Sequence, residues 1–199
     1  MADTGGPARR RYDPRARTEE VTAAAERVIG ARGIEGVTHR AVAEEAGVPL
    51  GATTYHFATK DDLIKAALQR SVDRFVAYLD EWVARRPQLT PEQLAVLLAD
   101  ALMGSFGPQR DQQVVEFELY LAALRRPALR PVADRYIEAS VDALSRYVDP
   151  LTARAAAVAA NGLTLRGLAG SEPPSRSEVE GILRLILTAS SGAATPQDS

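Results

Sequence analysis

Along most of this chain apolar residues recur at steps of three and four, and no stretch alternates with the period of two that a half-buried strand requires. That pattern confines the fold to packed helices, and an all-α architecture of about nine helices is expected. From Thr18, residues Val21, Ala24, Ala25, Val28 and Ile29 share one face, and the run stops at Gly33, a residue suited to a left-handed cap. Thr38 is placed to cap a short second helix that carries Val42, Ala43 and Ala46 and ends at Gly47. A third segment, Leu50 to His56, has mostly small or hydrogen-bonding side chains that make a poor core stripe, so it is expected on the surface. After Phe57 and Ala58, Thr59 caps a long fourth helix whose Asp61 and Asp62 complement the positive end of its dipole. The stripe Leu63, Ile64, Ala67, Leu68, Val72, Phe75, Leu79 and Trp82 continues until Pro87 stops it. Further helices are expected near 91–106, 110–125, 129–148, 151–170 and 176–190, each bounded by Pro, Gly or a polar cluster.

A chain of 199 residues, 46% hydrophobic and 25% charged, can bury a sizeable core. Its formal net charge of −2 says little, because position matters more than the sum. Arg9, Arg10, Arg11, Arg15 and Arg17 crowd the start, so residues 1–14 are read as a flexible basic arm, with a second flexible tail at 191–199. Absence of cysteine excludes disulfides, thiolate metal sites and thiol nucleophiles. With His39 and His56 as the only histidines, and no Gly-rich phosphate loop, metal-ligand spacing or triad, an enzyme is not expected, nor any cofactor or metal. Neither a signal peptide nor a membrane-length apolar run is present, which makes the cytoplasm the expected address and excludes a membrane partner.

The spacing of helices two and three carries the functional signal. Gly47 supplies backbone freedom at a tight turn, small Ala43 and Ala46 let two helices cross closely, and a short polar helix follows. This is helix-turn-helix grammar, and it divides the chain into a DNA-binding domain over 15–58 and a larger helical domain over 59–190. The segment Val37-Thr38-His39-Arg40-Ala41-Val42-Ala43-Glu44-Glu45-Ala46-Gly47-Val48, followed by Gly51, Tyr55-His56-Phe57 and Lys60-Asp61-Asp62-Leu63, resembles the TetR family of regulators over about residues 15–68. The resemblance implies that the third helix enters the major groove. Thr38, Arg40, Leu50, Gly51, Thr53, Thr54, Tyr55, His56 and Lys60 are then the expected DNA contacts, with Lys60 on backbone phosphate and Arg40 on phosphate or a guanine edge. Thr54 stands where many family members carry a tyrosine, which leaves Tyr55 and the two threonines to make the contacts there. His56 has two readings, packing residue or phosphate donor, and Phe57 is expected in the core.

One small head binds a half-site weakly, so a homodimer is expected to set two reading helices about 34–36 Å apart. The expected interface is Ala156, Ala160, Leu163 and Gly167 on one helix with Val179, Ile182, Leu183 and Ile186 on the next. The same stripes also suit an intramolecular core, and periodicity alone does not decide between them. Phe75, Tyr78, Trp82, Met103, Phe117, Tyr120, Leu121 and Tyr136 are the expected lining of an effector pocket. Two glutamates, Glu116 and Glu118, interrupt the apolar run Val114–Leu124, and Glu118 is the one expected to turn inward. The resemblance therefore implies a ligand-responsive transcriptional regulator of operator DNA, a repressor released by a small-molecule effector. An activator of the same family, or a helical adaptor that binds proteins rather than DNA, are the other readings.

Overall fold

The computed structural model describes residues 14–189, and among these the chain forms nine α-helices and two short 3-10 turns, with no strand. Helix α1 (Pro14–Arg32) begins four residues before the expected Thr18. Proline's fixed φ suits a first turn, and the Thr18 hydroxyl donates back to the Pro14 carbonyl at 2.9 Å. Pro14 therefore belongs to α1 rather than to the expected arm, while the rest of that arm and the 191–199 tail lie outside the described residues.

Local chemistry sets the next three helices. Thr38 accepts from the Ala41 N–H at 3.0 Å to start α2 (His39–Ala46), which ends at Gly47 with φ 65° and ψ 32°. That left-handed turn disfavours a side chain and redirects the backbone into α3 (Leu50–His56). Thr59 and Asp62 form a reciprocal capping box at the start of α4 (Lys60–Ala84), the carboxylate of Asp62 accepting from the Thr59 N–H at 2.9 Å. The Thr59 hydroxyl, donating to the same carboxylate at 2.9 Å, and then the Thr59 N–H hold the Asp62 carboxyl below its ordinary pKa. The remaining helices are α5 (Pro91–Gly104), α6 (Arg110–Ala122), α7 (Arg130–Leu144), α8 (Pro150–Ala169) and α9 (Arg176–Thr188). No helix among the described residues is long and apolar enough to cross a membrane.

Two apolar clusters hold the molecule together. The first joins Val21, Val28 and Ile29 of α1, Val42 of α2 and Phe57 to Leu63, Ile64, Leu68 and Val72 of α4, and continues into Leu119 of α6 and Val132 of α7. Phe57 is 7% exposed, so it closes the three-helix head as expected. Burying a side chain of this size contributes about 1.5–3 kcal/mol, so the head is welded to α4 rather than hinged on it. At about 1.5 Å per residue α4 is roughly 37 Å long. Its first half belongs to this cluster, and its second half reaches the cavity described below.

The second cluster packs Leu94, Ala95, Ala99 and Leu102 of α5 against Val179, Leu183 and Leu187 of α9, with Ala153, Ala156, Ala157 and Leu163 of α8 beneath. This corrects the expected dimer face. Ala156, Val179 and Leu183 have no exposed surface at all, and Leu163 is 8% exposed, because their stripes meet helices of the same chain. Gly167 is likewise internal: a Cβ there would lie 2.3 Å from Cε1 of Phe106, so glycine is what lets that ring lie against α8. Ala160 borders the cavity, and Ile182 and Ile186 pack half-buried on the second cluster. The apolar side chains that α8 and α9 leave outward are Leu151, Val158, Leu165 and Leu185, exposed by 78%, 58%, 38% and 74%.

Candidate functional site

At one end of the molecule, α2 and α3 present an outward face built by the Gly47 turn. Arg40, Leu50, Gly51, Thr54 and Tyr55 are exposed on it, Tyr55 by 80%, and Thr38 stands at its edge with its oxygen engaged as a cap. The Thr54 hydroxyl bonds back to the Leu50 and Gly51 carbonyls at 3.4 and 3.3 Å. Thr53 departs from expectation. It has no exposed surface, and its hydroxyl is shared between the Leu50 carbonyl at 2.8 Å and the His39 carbonyl at 3.4 Å, so it fastens α3 to α2 and cannot reach a base. The reason is angular: at about 100° per residue, Thr53 is the position of α3 that turns toward α2, while Thr54 and Tyr55 after it turn away. His56 is half-buried, its Nδ1 3.3 Å from the Thr18 hydroxyl and its ring edge-on to Tyr55.

Lys60 lies beside this face, and its Nζ is engaged by Glu35, donating to the carbonyl at 3.2 Å and pairing with the carboxylate at 3.3 Å. That contact, with Arg126 behind it, holds the Glu35 carboxyl below its usual pKa. Arg126 also meets Asp61 at 3.0 Å, so the turn Ile34–Gly36 is tied to the start of α4 from two sides.

At the other end of the first cluster is a cavity of about 290 Å³ enclosed by α4, α5, α6, α7 and α8. Phe75, Tyr78, Trp82, Phe117 and Tyr136 line it as expected, Phe75 stacking on Tyr136 with centroids 4.5 Å apart. Trp82 is held in place by Tyr147 edge-on to it and by the Arg86 guanidinium 4.8 Å from its ring centre. The expected acid is the wrong one. Glu116, not Glu118, faces the cavity, since two positions along α6 turn a side chain by about 200°. Glu118 points instead toward the head, where it accepts from the Ile34 N–H at 3.0 Å. Met103 packs into the second cluster, Tyr120 into the first beside Tyr136, and Leu121 is 39% exposed at the surface, so these three are also not lining residues.

Glu116 is 7% exposed, and its carboxylate accepts from the side-chain amides of Gln112 at 3.0 Å and Gln113 at 2.5 Å. Burial pushes its carboxyl above the ordinary range. Gln112, Arg74 and Gln113 pull it back down, and Glu26 adds to the upward push. Tyr136 is raised as well, by burial first and by Glu116 second. The cavity therefore offers a flat aromatic wall and one carboxylate satisfied by neutral amides. Arg74, which also lines it, is engaged elsewhere, donating at 2.6 Å to Glu26 of α1. Arg70 joins the same Glu26 and reaches Glu19 at 2.5 Å, so an ionic ladder runs from the cavity wall to the head. Sequence reasoning missed Arg74, Gln112, Gln113, Asn161 and Thr164, all of which border the cavity. Their only signal was polarity on otherwise apolar helices, which does not say where five helices converge. Among the described residues no cluster of His, Cys, Asp and Glu could hold a metal ion.

Comparison with known proteins agrees at both ends of the chain. Residues 21–67 match the family described as bacterial regulatory proteins, tetR family, and residues 89–189 match the tetracyclin repressor-like C-terminal domain. The structure of the multidrug binding protein EbrR complexed with ethidium is 44% identical, covers 85% of this chain and 98% of its own, and superposes with a TM-score of 0.76. EbrR structures complexed with proflavin and with malachite green are similar at 44% and 42% identity. A TetR family member from Streptomyces coelicolor A3, SCO1917, is 40% identical over 85% of this chain and 97% of its own, with a TM-score of 0.71. The HTH-type transcriptional regulator PksA of Bacillus subtilis (strain 168) is 28% identical over 113 residues, which cover 57% of this chain and 52% of PksA. The match thus spans about half the length of that curated relative.

Proposed function

Because this chain belongs to the TetR family of bacterial regulatory proteins, we propose that it is a dimeric repressor that reads operator DNA with α3 and leaves it when a lipophilic aromatic cation fills the cavity. The observation that carries the reading is α3 itself. It fully buries one residue, Thr53, packs Ala52 and His56 half-buried, and turns Leu50, Gly51, Thr54 and Tyr55 outward. A Cβ at Gly51 would meet nothing within 4 Å, so the fold does not require glycine there, whereas close approach of a phosphate would. Arg40, Thr54 and Tyr55 are the groups offered to the duplex, and Lys60 joins them once it exchanges Glu35 for phosphate.

For the effector, a buried carboxylate against stacked aromatic rings suits a delocalised cation. Such a ligand needs little hydration and can lie on the ring faces while its charge meets Glu116. Ethidium, proflavin and malachite green, the ligands of the EbrR structures, are of this class. A second copy of the chain docks on the outward apolar face of α8 and α9 around Val158, Leu165 and Leu185, rather than on Ala156, Leu163, Gly167, Val179 and Leu183, which are buried.

The test is binding to duplexes taken from the DNA flanking the chain's own coding sequence, followed by fluorescence anisotropy over a salt series. Affinity must fall steeply as salt rises, and Lys60→Ala should lower the log–log slope by about 1. Indifference to every such duplex at low salt would defeat the proposal.

A further inference from the structure

Glu118 has no place in the cavity, yet it makes a long-range hydrogen bond from α6 to the head, accepting from the Ile34 N–H at 3.0 Å. Ile34 opens the turn Ile34–Gly36, whose preceding Gly33 sits at φ 69° and gives no side-chain cap. A carboxylate from a helix 84 positions away therefore does the capping. The next residue in that turn, Glu35, holds Lys60. On α6 itself, the residues just before Glu118 are Glu116 and Phe117, both in the cavity wall. Val115 lies against the end of α1, where a Cβ at Gly30 would come within 3.3 Å of it.

Resting on the functional reading above, we infer that Glu118 is the positioning residue that couples the cavity to the reading head. It passes displacement of α6 to the Ile34–Gly36 turn and so to Lys60. A cation seated against Glu116 must take over the place of the Gln112 and Gln113 amides, both on the same helix. Helices shift as units, so the carboxylate one half-turn further on moves with them. Ile34 then loses or changes its acceptor, and Glu35 carries Lys60 with it. The ligand acts on DNA affinity through the difference between the two positions of one turn.

The experiment uses the full chain and tetraphenylphosphonium, an aromatic cation that does not intercalate. Its affinity is read by calorimetry, and duplex affinity with and without it by anisotropy. Glu118→Ala should bind the cation within about twofold of wild type, while the ligand-driven change in duplex affinity shrinks at least tenfold. Glu118→Gln, whose amide oxygen can still accept from Ile34, should retain that change. In the wild type, hydrogen exchange at the Ile34 amide should accelerate at least tenfold on saturation, with Val42 inside α2 unaffected. A Glu118→Ala protein that responds to the cation like wild type overturns the inference. So does an Ile34 amide whose exchange ignores the cation, a result that decides even if the alanine variant fails to fold. Failure of the wild type to bind duplex or cation is a separate outcome, visible without any variant, and removes the functional reading together with this one.

Discussion

Replacing Glu116 by glutamine removes the only carboxylate in the cavity wall among the described residues while keeping its volume. The side chain is 7% exposed and already receives two amide donors, both on rotatable glutamine side chains that can turn to present their oxygens to a new amide. Loss of the charge is thus tolerated in the free protein, and because burial already disfavours the ionised form, unfolding temperature should hold or rise slightly. The cost falls on a bound cation. A unit charge about 5 Å from the carboxylate interacts by roughly 3 kcal/mol at an effective dielectric of about 20, and the carboxylate's own desolvation offsets part of it. A net loss of about 2 kcal/mol corresponds to about 30-fold in affinity. Calorimetry with malachite green and with its uncharged leuco form, which has nearly the same skeleton, isolates the effect. The cation should weaken about 30-fold and the leuco form should change less than about twofold. Equal losses for both, or none for either, would show that Glu116 packs against the ligand rather than pairing with it, and the electrostatic reasoning would fail.

Cation affinity should also depend on pH. The carboxyl of Glu116 lies above its ordinary pKa in the free protein, and pairing with a cation lowers it, so binding expels a proton. Affinity should then rise with pH from the ordinary carboxylate range up to the raised pKa and level off above it; a slope of opposite sign would contradict the assignment, in which Arg74, Glu26, Gln112, Gln113 and Tyr136 are the facing groups. Gly167→Ala drives a methyl group into Phe106 and to 2.9 Å from Pro174, so stability should fall by about 1–3 kcal/mol in denaturant titration, with dimer dissociation unchanged at sedimentation equilibrium. Loss of the dimer without loss of stability would return Gly167 to an interface. Thr53→Val should cost about 1 kcal/mol of stability while the folded protein keeps its duplex affinity, and Thr54→Val should do the reverse. If the two variants behave alike, the orientation of α3 is misassigned.

What was legible in the sequence is what local chemistry decides. Thr38 and Thr59 stop the chain and start helices because a hydroxyl one turn before an orphan N–H has few better uses, and Gly47 marks a left-handed bend that few other residues accept. Those three positions locate the reading head almost by themselves. Partnership across the fold was not legible. Val179 and Leu183 read as a wide apolar face whichever chain they meet, and only the path of α5 shows that they meet their own. The choice between Glu116 and Glu118 depended on the rotation of α6, which its short periodic pattern leaves open by a residue or two. Once α6 is in place, the two acids separate into different tasks, one in the cavity wall and one at the head. The 3-10 turns at Ile34–Gly36 and Pro127–Leu129 escaped notice because three residues carry no periodicity.

The central claim is that a cation in the cavity releases a duplex held by the two reading helices of a dimer, and the chain's freedom from cysteine makes the separation of those helices directly measurable. A single Ala58→Cys exchange, at an exposed position just beyond α3, accepts one spin label per chain. Dipolar electron resonance on the duplex-bound protein should give an intersubunit distance near one duplex turn, about 34–36 Å broadened by the reach of the labels. Tetraphenylphosphonium should move that distance away as it releases the duplex. Absence of any intersubunit coupling, or a distance that saturating cation leaves in place, would contradict the account.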